Sequence, residues 1–322
     1  MEKVQFGILI DPPNFKYVKE VALQSEKLGF DSIWIYDHFS WEGSRDTETE
    51  QVSDLLECTT VMSALAALTS RIRIGSLMLC NSYRNPSLAA KIGATLDMIS
   101  NGRLEFGIGA GWKKNEYIAY GYPFPSPAVR IAQLKEAVTI IKKMWTEEKS
   151  SYKGKYYEIR EALCEPKPVQ KPHPPIWIGG EGEKLTLRVV AELADGSNWY
   201  GTPEHFAHKL RVLESHCAKV GRSFDEIKKS WIGELFLLPK GSNVRSNIEK
   251  YLACMHVPEG SKAATEYEKY VHRNIAGTPD ECISKIKEYV KLGVTRFYFE
   301  SSTTKSRAQF VEEVMPEFHD KS

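Results

Sequence analysis

The sequence has almost no excess of charge of either sign: over 322 residues, 43 Lys+Arg against 42 Asp+Glu leave a formal net charge of +1. Neutralising a phosphate backbone needs a basic surplus on at least one face, so a nucleic-acid partner is disfavoured. Long uncharged apolar runs are missing, and Met1-Glu2-Lys3-Val4 leads directly into a strand-like segment. Neither a membrane span nor a signal peptide is expected. Cysteine is sparse and scattered (Cys58, Cys80, Cys164, Cys217, Cys254, Cys282), with no CxxC pair. In a chain of this length that spacing reads as reduced, cytoplasmic thiols rather than a disulfide frame. The sequence also lacks a nucleophile elbow, a zinc motif and a phosphate-binding P-loop. His205 and His208 stand three apart on one helix, but no third ligand has matching spacing, so they read as a solvated helix face.

What the sequence does have is ordinary globular composition, 42% hydrophobic and 26% charged, which excludes a disordered chain. Short apolar runs alternate with helical patterns from end to end. Strands are expected at Val4–Ile10, Ser32–Tyr36, Arg73–Leu79, Leu104–Gly109, Ile176–Ile178, Gly196–Trp199, Ser230–Leu238 and Val294–Glu300. Helices are expected at Lys16–Leu28 (closed by Gly29), Leu55–Thr69, Pro86–Ser100, Ala128–Trp145, Leu185–Ala194, Pro203–Val220, from Thr278 to about Leu292, and Arg307–Val314. Thr278-Pro279-Asp280-Glu281 combines an N-cap, a first-position proline and a capping-box glutamate. Parallel neighbours need crossovers, and eight strands separated by helices favour a closed (β/α)8 barrel, an α/β fold. We read residues 1–322 as one domain, because barrels of this size are routinely undivided.

Three stretches interrupt the rhythm as insertions after strands 2, 4 and 7: Trp41–Glu57, Lys149–Pro175 with a hairpin near Tyr152–Tyr157, and Lys240–Ala276. The first and third fall among the βα loops of the C-terminal face, where active sites of this fold sit. Gly107-Ile108-Gly109-Ala110-Gly111 fails as a dinucleotide fingerprint, since Trp112 stands where the third glycine belongs. It reads instead as a strand end that a flat ligand approaches closely, with barrel packing as the competing explanation. Gly179-Gly180-Glu181-Gly182 lies between a strand and a helix start, an arrangement that gathers N–H groups for an anion, phosphate above all. Asp37-His38 closes the second strand, and a histidine there is placed for proton transfer or ring contact.

Three segments together, Ser32–Phe39 (SIWIYDHF), Arg84–Trp112 (RNPSLAAKIGATLDMISNGRLEFGIGAGW) and Pro174–Gly180 (PPIWIGG), resemble the bacterial luciferase-like monooxygenase superfamily. With Asn115–Pro125 (NEYIAYGYPFP) added, they are most similar to its branch using the deazaflavin coenzyme F420. The resemblance covers nearly the whole chain and weakens after about Leu238. It implies a barrel with a deazaflavin or isoalloxazine ring across its C-terminal mouth, and a cis non-proline peptide in the third strand. Counting back from Asn85-Pro86 puts that bond at Ser76–Leu77. The resemblance implies that Asp37, Ser76, Leu77, Leu79, Ala110, Gly111 and Asn115 lie near the cofactor, and that Gly180, Glu181, Gly182, Lys184 and Leu185 take its phosphate. His38 and Trp41 are implied at the reaction centre, with His38 a proton donor or a stabiliser of the anionic reduced ring. Glutamates of the deazaflavin-dependent sugar-phosphate dehydrogenases match Pro13 and Trp112 here, which disfavours that activity. The implied function is F420-dependent hydride transfer to or from a small organic substrate, in a homodimer. The substrate pocket is expected between Trp41–Glu57, Trp112 and Lys240–Ala276. An FMN-dependent monooxygenase of the same superfamily is the alternative, and a non-catalytic flavin-binding protein stands last.

Overall fold

The computed structural model describes residues 3–42, 52–53, 55–254, 263–300 and 303–319. Eight strands carry the barrel: β1 (Gln5–Ile10), β2 (Ser32–Ile35), β3 (Arg73–Ser76), β4 (Leu104–Gly109), β5 (Ile176–Gly179), β6 (Gly196–Trp199), β7 (Lys228–Leu237) and β8 (Arg296–Glu300). Each pairs in parallel with its successor, and β8 returns to β1 through Gln5 opposite Arg296. The helices following them are α1 (Phe15–Leu28), α2 (Cys58–Leu68), α3 (Pro86–Ile99), α4 (Pro127–Thr146), α5 (Thr186–Leu193), α6 (Pro203–Val220), α7 (Pro279–Lys291) and α8 (Thr304–Glu313). The fold is therefore the closed (β/α)8 barrel that the count of elements implied.

Period-two alternation decides which side chains fill the two layers. On β2, Ile33 and Ile35 point out into the layer shared with the helices, while Trp34 points in. Trp34, Trp177 and Tyr298 form the interior plug, with Trp34 4.4 Å from Tyr298 and edge-on to Trp177 at 5.9 Å. Trp177 Nε1 donates to Glu105 Oε2 at 2.6 Å, and Glu105 is paired with Arg73. Space for the two indoles comes from glycine: a Cβ on Gly75 would stand 2.3 Å from Trp34, and one on Gly196 2.4 Å from Trp177. Gly196→Ala is expected to lower stability by about 1–3 kcal/mol through overpacking, seen as a fall in the urea midpoint.

Three features depart from the expected elements. The third strand does not run unbroken to Leu79: it stops at Ser76 and resumes as Leu79–Cys80 beside Ile108–Gly109. The cis non-proline peptide lies in that interruption at Leu77–Met78, not at Ser76–Leu77, one residue beyond the expected bond. The insertion after β7 is not a bare loop but holds two helices, Val244–Cys254 and Ala263–Arg273, ahead of a short strand, Ile275–Gly277. The hairpin after α4 pairs Ser150–Lys153 with Glu158–Ala162, a little wider than expected. No helix among the described residues is long and apolar enough to cross a membrane, and the five cysteines described are free.

Candidate active site

The C-terminal mouth opens into a cavity of about 920 Å³, within the range of roughly 300–1,000 Å³ that holds cofactors and small ligands. Its floor is apolar, made by Leu9, Leu77, Met78, Leu79 and Ile232 above the tryptophan plug. Ser76 Oγ donates to Gly107 O at 2.8 Å, and a Cβ on Gly107 would meet Ser76 O at 1.9 Å. Gly107 is thus required by close strand packing, while Gly109, Ala110 and Gly111 face the cavity. Gly111 has φ +76°, and a Cβ there would fall 1.9 Å from the Tyr117 hydroxyl.

One wall is built around a buried carboxylate that the sequence reading did not single out. Glu116, in the short helix Lys114–Ala119, is 2% exposed. Its Oε1 accepts from the N–H groups of Phe39 (2.8 Å) and Ser40 (3.2 Å). Its Oε2 meets His38 Nδ1 at 2.9 Å and accepts from the Tyr83 hydroxyl at 2.9 Å. Burial opposes ionisation, but these hydrogen bonds outweigh it and hold the carboxyl down to about 2. An ionised carboxylate only accepts, so the proton on the facing ring nitrogen is on Nδ1. An aromatic cluster fixes this wall, with Phe39 stacked among Tyr83, Tyr120 and Tyr122. Trp112 stands at the rim, edge-on to His38 at 5.7 Å.

Asp37 turns away from the cavity. It binds Arg84 through both oxygens (2.7 and 2.8 Å) and accepts from Cys80 N at 2.7 Å, holding the resumed third strand. Arg84 also reaches Glu57 at 2.5 Å, whose carboxyl falls to about 2 because hydrogen bonds from Thr59, Thr60 and Arg84 exceed the cost of its burial. Cys80 lines the cavity, but burial pushes its thiol up to about 11, which leaves it unreactive at neutral pH.

The far end of the cavity is the Gly179–Gly182 segment entering α5, with Thr186 and Arg130 beside it. Side chains accept from the first-turn N–H groups of α1, α2, α3, α4, α6 and α8, and a capping box closes α7. Helix α5 has Leu185 at its N-cap position and no side-chain cap. Leu187 N donates to Gly182 O at 3.0 Å, and no side chain caps the rest of the first turn, where an anionic guest can be held. The negative charges of Glu181 and Glu183 are compensated from α6. His205 meets Glu181 at 2.6 Å, His208 meets Glu183 at 2.9 Å, and Lys209 holds Glu183 at 2.7 Å. The two histidines considered as metal ligands are therefore hydrogen-bond partners of this loop.

Of the residues expected at the cofactor, Leu77, Leu79, Ala110, Gly111, Gly180, Glu181 and Gly182 line the cavity, as does His38. Asp37 and Ser76 are buried behind it, and Asn115, Lys184 and Leu185 are exposed outside its lining. Trp41 is placed by its backbone alone, in a two-residue ribbon with Val52–Ser53. Most of the expected wall Trp41–Glu57, and residues 255–262 of the later insertion, lie outside the described residues.

A second polar centre that the sequence reading missed is tied to Tyr36, whose ring lies 6.1 Å from that of His38. Glu300 closes β8 and accepts the hydroxyls of Tyr36 (2.5 Å) and Tyr200 (2.6 Å). A polar residue at a barrel strand's C-terminal end is a site signal, and Glu300 carries that signal as plainly as Asp37-His38 does.

Comparison with known proteins agrees with this architecture. The chain is 30% identical over 303 residues to an F420-dependent glucose-6-phosphate dehydrogenase of Microbacterium testaceum, covering 87% of this chain and 85% of that one. It is 25% identical over 305 residues to an FMNH2-dependent dimethylsulfone monooxygenase of Pseudomonas putida, covering 86% and 80%. Among solved structures, the coenzyme F420-dependent tetrahydromethanopterin reductase of Methanopyrus kandleri superposes with a TM-score of 0.80 at 22% identity, over 98% of this chain and 100% of that one. An F420-dependent secondary alcohol dehydrogenase also scores 0.80, at 20% identity over 99% and 100%, and at such identities the likeness is one of fold. The family model of the luciferase-like monooxygenases matches residues 3–296, and the chain belongs to that family.

Proposed function

We propose that this chain is a coenzyme F420-dependent oxidoreductase that moves a hydride between the deazaflavin and a small organic substrate. The observation carrying this reading is the shape of the cavity: an apolar floor, a histidine with a fixed tautomer on one wall, and an uncapped helix start at one end. A flat, largely apolar ring with an anionic tail fits those parts. When bound, the cofactor supplies the hydride chemistry. Leu77, Met78 and Leu79 would support the ring, and the Gly180–Gly182 loop with Thr186 would take the phosphate. His38 would face the reacting carbon and hold or give a proton through its ring. Asp37 and Ser76 serve the same site from behind, as braces for the interrupted third strand.

The relatives include enzymes dependent on F420 and on FMN, so the cofactor is the decisive measurement. Purified protein titrated with each, followed by fluorescence quenching, is expected to bind F420 more tightly. Tight FMN binding with flavin-dependent oxygen consumption, and no F420 binding, overturns the proposal.

A further inference from the structure

Glu116, buried behind the cavity wall, and Glu300, half-buried and lining the cavity, differ in one respect. Glu116 has both oxygens engaged, Oε1 by two backbone N–H groups and Oε2 by His38 and Tyr83. A carboxylate so occupied is a structural anchor. Glu300 takes both of its tyrosine hydroxyls on a single oxygen, Oε1, and among the described residues no hydrogen bond reaches Oε2. Glu300, Tyr36 and Tyr200 all line the cavity. Tyr36 has its ring 6.1 Å from that of His38, which brings the pair to the proposed hydride site.

The local charge bears on both the role and the substrate. Asp11 shares this side of the cavity, and Glu234 lies near enough to oppose the charge on Glu300. Burial first, and then these two carboxylates, raise the Glu300 carboxyl above the ordinary glutamate value against the lowering effect of the tyrosine bonds. A carboxyl tuned upward is better suited to proton exchange than an ordinary glutamate. Among the described residues on this side, Arg273 is an exposed cation whose guanidinium lies 5.2 Å from the Tyr200 ring. Lys113 is committed to Ser40 O and Glu116. A phosphate ester placed here would have to sit against carboxylates.

We infer that Glu300, held in place by Tyr36 and Tyr200, exchanges the proton of an uncharged alcohol or carbonyl substrate through Oε2. The inference rests on the deazaflavin reading above. In the oxidising direction the substrate O–H bond breaks and its proton goes to Glu300. The adjoining C–H bond breaks with its electron pair passing to the deazaflavin, and C=O forms. The alcohol is oxidised and the deazaflavin reduced; the reverse direction returns both.

Glu300→Gln keeps an amide oxygen to accept both tyrosines while removing the exchangeable proton, so the fold is retained. The full-length protein, wild type and E300Q, is first titrated with F420, and equal affinities are expected. Propan-2-ol, cyclohexanol and glucose 6-phosphate are then offered to the loaded enzyme across a pH series. A neutral alcohol is expected to react and the phosphate ester not. E300Q is expected to lower kcat/KM by roughly 10²–10⁴-fold and to remove one limb of the pH profile. A readout without cofactor comes from infrared difference spectra of wild type against E300Q. A protonated-carboxyl band assigned to Glu300 is expected to persist above the ordinary glutamate range. Failure of wild type to bind F420 removes the cofactor reading and this inference with it. Binding accompanied by an unchanged E300Q pH profile, by turnover of the phosphate ester alone, by no turnover of either alcohol, or by no such infrared band, overturns this inference alone.

Discussion

Replacing His38 by alanine is expected to slow hydride transfer by roughly 10²–10⁴-fold, the usual cost of losing a positioned proton-transfer group. The ring is mostly buried, lines the cavity, and has Nδ1 held by Glu116 at 2.9 Å. It therefore meets a ligand with one orientation and one tautomer, and rotamer search is already excluded from the reaction. His38 contributes little to the floor or the phosphate end, so the affinity for F420 should stay within a few-fold of wild type. Single-turnover kinetics after rapid mixing separate the two effects. A variant with unchanged transfer rate would remove His38 from the chemistry and leave it as a wall of the cavity. Glu116→Gln gives the companion result: an amide in place of the acceptor permits the opposite tautomer, and the rate should fall although the ring stays.

The largest stability effect is expected at the same carboxylate. Glu116→Ala strands His38 Nδ1, the Tyr83 hydroxyl and the N–H groups of Phe39 and Ser40. Breaking a buried charged network from one side costs about 3–5 kcal/mol at pH 7. The pH dependence has a definite sign. The folded carboxyl titrates near 2, against 4.5 for the ordinary side chain, so its contribution is complete above 4.5 and is lost as pH falls from there towards 2. Urea midpoints of wild type and variant should thus lie furthest apart at pH 7 and 5 and draw together at pH 4 and 3. A gap that does not narrow in acid would show that packing, rather than the ionised carboxylate, sustains this wall.

Local rules made most of the barrel legible. Leu104–Gly109, Gly196–Trp199 and Pro203–Val220 stand at the expected boundaries. For α6 the reason is explicit: Thr202 caps the first turn, Pro203 fits the first helical position, and Gly221 closes the helix in the left-handed region. The insertion helices Val244–Cys254 and Ala263–Arg273 fall in the stretch that the sequence reading left as an insertion after β7. They are fastened by buried Ile248, by the rings of Tyr251 and Tyr270 packed with Phe236, and by Tyr251 and Tyr270 both donating to Glu234 (2.8 and 2.9 Å). Contacts between such distant segments are not reported by local periodicity. The interruption of the third strand was implied by the resemblance but placed one peptide bond early. Ser76, Leu77 and Met78 read as uninterrupted strand, and nothing in them distinguishes one peptide bond from the next.

The candidate site was legible where a single strand end announces it and obscure where distant segments meet. His38 and the Gly180–Gly182 loop follow their strands directly. Glu116 gains its meaning only because the aromatic cluster folds its short helix against β2, and Glu300 only because β2, β6 and β8 converge.

The tyrosine-to-Glu234 fastening divides the mouth into two unequal halves. The half that would grip a cofactor comes from chain that follows β3, β4 and β5, rigidly set into neighbouring strands. The other is bordered by the end of the second insertion helix, where Arg273 lines the cavity and reaches the Tyr200 ring, while Tyr251 and Tyr270 tie both helices to Glu234 on β7. A change at Arg273 would therefore alter that border of the cavity while leaving the Leu77–Leu79 floor and the Gly180–Gly182 loop as they are.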